Sequence, residues 1–201
     1  MNDQPLFRWI FIAIFVIALF ISGYFRRKAR QSGEVIPRAR EGRLIVAGRI
    51  LFAAPLYLSV FAYMLNPNWM AWSRMSLPTW LRWLAAVVGL ATLPFIYWVF
   101  RSIGHNISET FLTKENHALV THGPYRWVRH PLYSVATVAF VSLSLVAANW
   151  FILAMALLAI LVLALVVIPR EETQLILKFG QAYREYQQRT GRLAPRLSLR
   201  R

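Results

Sequence analysis

Apolar residues run almost unbroken from Leu6 to Phe25, with Arg8 close to the start and Arg26, Arg27 and Lys28 directly after the end. About twenty residues of helix cross a hydrocarbon core roughly 30 Å thick, so this pattern predicts a membrane-spanning helix. The basic cluster follows the run, whereas a cleaved secretory leader carries it in front. Four more runs repeat the theme. Leu44 to Leu65 contains Pro55, and Arg49 near enough to one end for its head group to reach the interface. Leu81 to Phe100 contains Pro94, placed to kink a helix. Tyr133 to Ala148 and Trp150 to Ile168 are parted only by Asn149, a turn former, and so predict a helical hairpin. The expectation is an all-α integral membrane protein of about five transmembrane helices, with no internal repeat and no low-complexity tract.

Composition agrees. The 201 residues are 58% hydrophobic with a mean hydropathy of +0.46, more than a soluble domain of this size hides. Only 15% are charged, and 23 Lys and Arg against 8 Asp and Glu leave a net +15. That excess sits beside the spans instead of on one folded face, which points to membrane topology and away from nucleic acid. The absence of cysteine excludes a disulfide scaffold, thiolate metal sites and cysteine nucleophiles. Arg26 to Arg49 holds eight Lys and Arg, and the tail from Arg170 another eight, whereas Asn66 to Arg82 holds only Arg74 and Arg82. An odd number of spans puts the two basic segments on one side, the cytoplasmic side by the positive-inside rule, with the N-terminus outside. Trp69, Trp72, Trp80 and Trp83 surround the weakly charged loop, as an interfacial aromatic belt does.

Chemistry concentrates where the hydrophobic series is broken. All four histidines, His105, His117, His122 and His130, fall between the third and fourth spans. Their spacings match no compact ligand pattern, so no metal is expected. Glu171 and Glu172 follow the fifth span at Pro169-Arg170. Glu172 precedes Leu175 and Ile176 by three and four residues and shares their helix face, which aims at least one carboxylate into protein. Tyr183 and Tyr186 suit packing at the interface. The arginine-rich tail from Arg189 suits anchoring on anionic lipid.

Gly123-Pro-Tyr-Arg-Trp-Val-Arg-His-Pro-Leu-Tyr133, a hydrophobic hairpin, Glu171-Glu-Thr-Gln-Leu175 and Phe179-Gly-Gln-Ala-Tyr-Arg-Glu-Tyr186 occur in that order. Over roughly residues 95 to 195 this series resembles the isoprenylcysteine carboxyl methyltransferase and phospholipid methyltransferase superfamily of integral membrane enzymes. The resemblance implies S-adenosylmethionine as methyl donor, held at the cytoplasmic face between the loop and a C-terminal amphipathic helix. It assigns His117, Leu119, Val120, Gly123, Tyr125, His130, Tyr133, Glu171 and Glu172 to the cofactor. It assigns Arg129, His130, Tyr133 and Glu172 to catalysis. Ser134 stands where the family often has glycine. Residues 1–94 match no motif and are expected to serve the substrate, with 95–201 as the methyltransferase-like half.

The residue types suit that cofactor on their own terms. Carboxylates accept from ribose hydroxyls or an ammonium and attract a sulfonium. Tyr125 and Tyr133 offer ring faces to a cation, and Arg129 or His130 can meet a carboxylate. Gly123 allows a tight turn, and Pro131 suits a first helical turn. The acceptor is expected to be a lipophilic or membrane-partitioned carboxylate, amine or thiol. An NADPH-dependent membrane reductase of the sterol-reductase type and a non-catalytic subunit or transporter are the alternatives. A transporter would spread polar groups through mid-bilayer in several spans, whereas here they collect at one end.

Overall fold

The computed structural model describes residues 4–31, 43–107 and 118–196. Each apolar run forms a helix: α1 (Gln4–Gln31), α2 (Arg43–Leu65), α3 (Thr79–Ile103), α4 (Pro131–Ala147) and α5 (Trp150–Val162). A π turn, Leu163–Val167, joins α5 to α6 (Ile168–Phe179), and α7 (Gln181–Arg189) follows. α1, α3 and the continuous helix Trp150–Phe179 are long and apolar enough to cross a membrane, while Ala53–Leu65 and Pro131–Ala147 are shorter apolar helices. Among the described residues there is no β-strand, only two isolated bridges. The protein is an all-α integral membrane protein.

The hairpin expected at Asn149 is there, and its local chemistry is explicit. Ala148 takes a left-handed conformation (φ 50°) that ends α4, and the Asn149 side chain accepts from the Ile152 N–H to cap α5. The Asn149 amide also donates to Ser73 Oγ (2.7 Å) and Met70 O (3.3 Å), tying the hairpin tip to the segment before α3.

Two arginines that looked like loop or end charges do something else. Arg82 lies in the first turn of α3, is 6% exposed, and donates twice to Val146 O (3.1 and 2.8 Å), with its guanidinium 3.9 Å from the Phe7 ring centroid. Arg8 donates to Met64 O and Leu65 O. Each satisfies carbonyls that a helix C-terminus leaves without partners and complements its negative dipole end.

The largest core cluster joins α1, α2, α3, α4 and α5 through residues such as Phe7, Phe11, Val60, Ala86, Val146 and Ile152. A Cβ on Gly89 would come within 3.0 Å of Ile14 and 3.4 Å of Ser142, so α1, α3 and α4 cross closely there. A second cluster around Phe25, Ile96 and Phe100 continues α1 and α3 toward the loop after α3. The expected division at residue 94 falls at Pro94, inside α3, and α1 packs on both α3 and α4. The two halves of the chain therefore share one core.

Candidate active site

The segment that carries the loop motif is shaped by glycine and proline. Gly123 has φ +59°, and a Cβ there would sit 2.6 Å from Ser102 Oγ on α3, so both backbone and space require glycine. It opens a short 3-10 turn, Gly123–Arg126. Tyr125 is buried, its phenol pushed well above the usual range by that burial, and its carbonyl accepts from Tyr186 OH. Burial also pushes the Tyr186 phenol up to about 12. His130 stands at the N-cap of α4 and Pro131 in its first turn.

Residues 190–193 then return to this segment as a strap. Gly191 N donates to Trp127 O, Arg129 N to Gly191 O (2.9 Å) and His130 N to Arg192 O (3.1 Å), and Ser134 Oγ donates to Leu193 O (2.6 Å). The arginine-rich tail, read from sequence as a lipid anchor, keeps Arg189 and Arg196 exposed over its described part. Its backbone is spent on the loop, in a pairing that no local pattern announces.

Glu172 is the hub. It is 4% exposed and receives Arg129 Nε at 2.8 Å and Arg192 Nη2 at 3.0 Å, while His130 Nε2 lies 3.3 Å from the oxygen that Arg129 contacts. Two guanidinium groups on a carboxylate withdrawn from water give a charge-compensated, geometrically fixed cluster. Arg129 is held further by the carbonyls of Gln187 and Thr190. Glu171 is more open, its side chain 29% exposed, and accepts from Tyr133 OH at 3.1 Å with His130 Nδ1 at 3.7 Å. The His130 and Tyr133 rings stack with centroids 5.7 Å apart and planes 18° apart.

The structure thus brings together Arg129, His130, Tyr133, Glu171 and Glu172 from two segments about forty positions apart in the sequence. Arg129 and Glu172, each read separately as a cofactor contact, are paired with one another. Leu119 packs on Leu175, Tyr183 and Tyr186, beside the cluster, and Val120 is half-buried. Gly123 and Tyr125 shape the loop beneath. His117, with the rest of residues 108–117 in the loop between α3 and α4, lies outside the described residues. Three participants were not singled out from sequence: Arg192, Thr190, and Asn106, whose side chain bonds both backbone groups of Ala118. An asparagine just past a helix end is a weak signal for such a bond.

Residues 79–182, from the start of α3 into α7, match the family model of phospholipid methyltransferase. The uncharacterized protein YpbQ of Bacillus subtilis (strain 168) is 25% identical over 131 residues, which cover 63% of this chain and 71% of that protein. A solved structure of the eukaryotic intramembrane Ras methyltransferase ICMT, isoprenylcysteine carboxyl methyltransferase, is similar with a TM-score of 0.51 and 23% identity over 80% of this chain and 54% of that chain. The chain spans about half the length of that protein, and the likeness concerns the fold. With the family match covering the loop, the hairpin and the glutamate pair, the chain belongs to the phospholipid methyltransferase family.

Proposed function

We propose that the protein transfers a methyl group from S-adenosylmethionine to a lipophilic or membrane-partitioned acceptor, a carboxylate, amine or thiol, at the cytoplasmic end of its helices. The observation that carries this reading is the meeting of Arg129, His130, Tyr133, Glu171 and Glu172 at one end of an apolar bundle. The donor set fits the cofactor. Glu171, the more open carboxylate, suits ribose hydroxyls or the ammonium, and the stacked His130 and Tyr133 rings suit a cation. Tyr183 adds a buried hydroxyl without a hydrogen-bond partner among the described residues. His117, Leu119, Val120, Gly123 and Tyr125 complete the cofactor side as the family implies. Five crossings with the N-terminus outside agree with the basic segments. Residues 1–94 would face the acceptor.

Bound, the cofactor supplies a methyl carbon already activated by its sulfonium. What remains for the chain is alignment and exclusion of water. Glu172 holds Arg129 and His130 in single orientations, so the groups facing the reactants need little reordering. The cofactor enters from the cytoplasm, because its polar groups lose hydration in hydrocarbon, and the acceptor enters from the bilayer. Calorimetry on the detergent-purified protein tests the reading. Binding of S-adenosylmethionine and S-adenosylhomocysteine with none of NADPH supports it, and binding of NADPH alone overturns it.

A further inference from the structure

The helix that carries the glutamate pair contains one residue too many for a regular α-helix. Ile152 and Ala156 mark the face of α5 that packs in the core. Over the twenty residues from 152 to 172, at about 100° each, a regular helix would place Glu172 about 200° from Ile152, on the far side, facing lipid. Leu175 would lie about 140° away by the same arithmetic. Both are buried instead, and Glu172 meets Arg129, His130 and Arg192.

The π turn Leu163–Val167 accounts for the difference. There the Ile168 N–H reaches back to Leu163 O, five residues instead of four. One surplus residue takes back about 100°, leaving Glu171 in line with Ile152, Leu175 about 40° from it and Glu172 about 100° from it. Ile168, also fully buried, returns to the same side. Pro169 keeps the surplus in place: it has no N–H to offer, and in a regular helix its ring would press on the carbonyl of Leu165.

We infer that the π turn is a register device and Pro169 a positioning residue, together turning the glutamate pair from the lipid side toward Arg129, His130 and Tyr133. The inference rests on the methyl-transfer reading only where cofactor affinity is the readout. Its logic is discrete. Removing one residue from the turn leaves a regular helix with every later residue still on its present face, whereas removing two shifts the chain by one place.

Three variants of the full-length protein in detergent test this, each carrying Pro169→Ala to relieve the ring. Deletion of Ala164 keeps the thermal midpoint and the affinity for S-adenosylhomocysteine near those of the unaltered protein. Deletion of Ala164 and Leu165 sets Thr173 where Glu172 stands, lowers the midpoint, and weakens binding by about 10-fold or more, the scale of one lost charge-assisted hydrogen bond. Thr173→Glu in that double deletion restores both. Rescue of this kind is not expected of a turn that serves only as a flexible joint. A single deletion as damaging as the double one, or no rescue by Thr173→Glu, overturns the inference. Because the midpoint reports the ion pairs without ligand, the stability pattern without any cofactor binding would leave the register intact and remove the methyl-transfer reading. Cofactor binding without the pattern would do the reverse.

Discussion

Glu171 and Glu172 are neighbours in sequence with separate jobs, and isosteric substitution separates them. In Glu172→Gln the buried charge that faces Arg129, Arg192 and His130 is lost, while one oxygen remains to accept a hydrogen bond. The Arg129 side chain is 10% exposed and keeps its charge. A charge-assisted hydrogen bond is worth about 1.5–3 kcal/mol, and a buried partner left uncompensated adds a desolvation cost, so Glu172→Gln should destabilise the folded protein by about that amount. Cofactor affinity should fall with it by about 10- to 100-fold, because Arg129 and His130 lose their fixed orientation. Glu171 has an exposed edge and a bond from the neutral Tyr133 hydroxyl. Glu171→Gln should therefore change stability by under about 1 kcal/mol and weaken the cofactor alone. Thermal unfolding in detergent and calorimetry with S-adenosylhomocysteine read the two quantities on the same samples. Equal destabilisation by both substitutions, or unchanged cofactor affinity in both and in the double variant, would refute the reasoning.

Arg82→Ala removes both donors to Val146 O and leaves that carbonyl unmet at the end of α4. A loss of about 1.5–3 kcal/mol in thermal or denaturant unfolding is expected, with cofactor affinity unchanged. Asn68→Cys and Ala194→Cys, both at exposed positions in a chain without cysteine, should react with an impermeant thiol reagent from opposite sides of sealed cells. Labelling of both from the outside would sink the five-crossing topology.

The helices were legible because apolar run length is a property of the solvent they cross: the second, third and fourth runs end within three residues of α2, α3 and α4, while α1 continues six residues past Phe25 and the fifth run leads without a break into α6. Gly123, Pro131 and Asn149 were legible because each imposes a local backbone geometry. The burial of Glu172 was legible from Leu175 and Ile176, which share its own turn. Its direction relative to α5 was not, because a π turn adds a residue without altering the apolar pattern of Leu163 to Val167. Arg82 and Arg8 looked like interface charges, since the carbonyls they bind become available only when helices cross. Arg192 was missed for the same reason: what brings it to Glu172 is backbone pairing of Trp127, Arg129 and His130 with Gly191 and Arg192, which depends on no side-chain pattern.

The most direct test of the central claim is an experimental structure of the protein with S-adenosylhomocysteine. The account places the ligand against Tyr133, His130 and Glu171, within reach of residues 117–125, with Glu172 still paired to Arg129. A ligand bound elsewhere in the bundle, or one that approaches none of those residues, would contradict it.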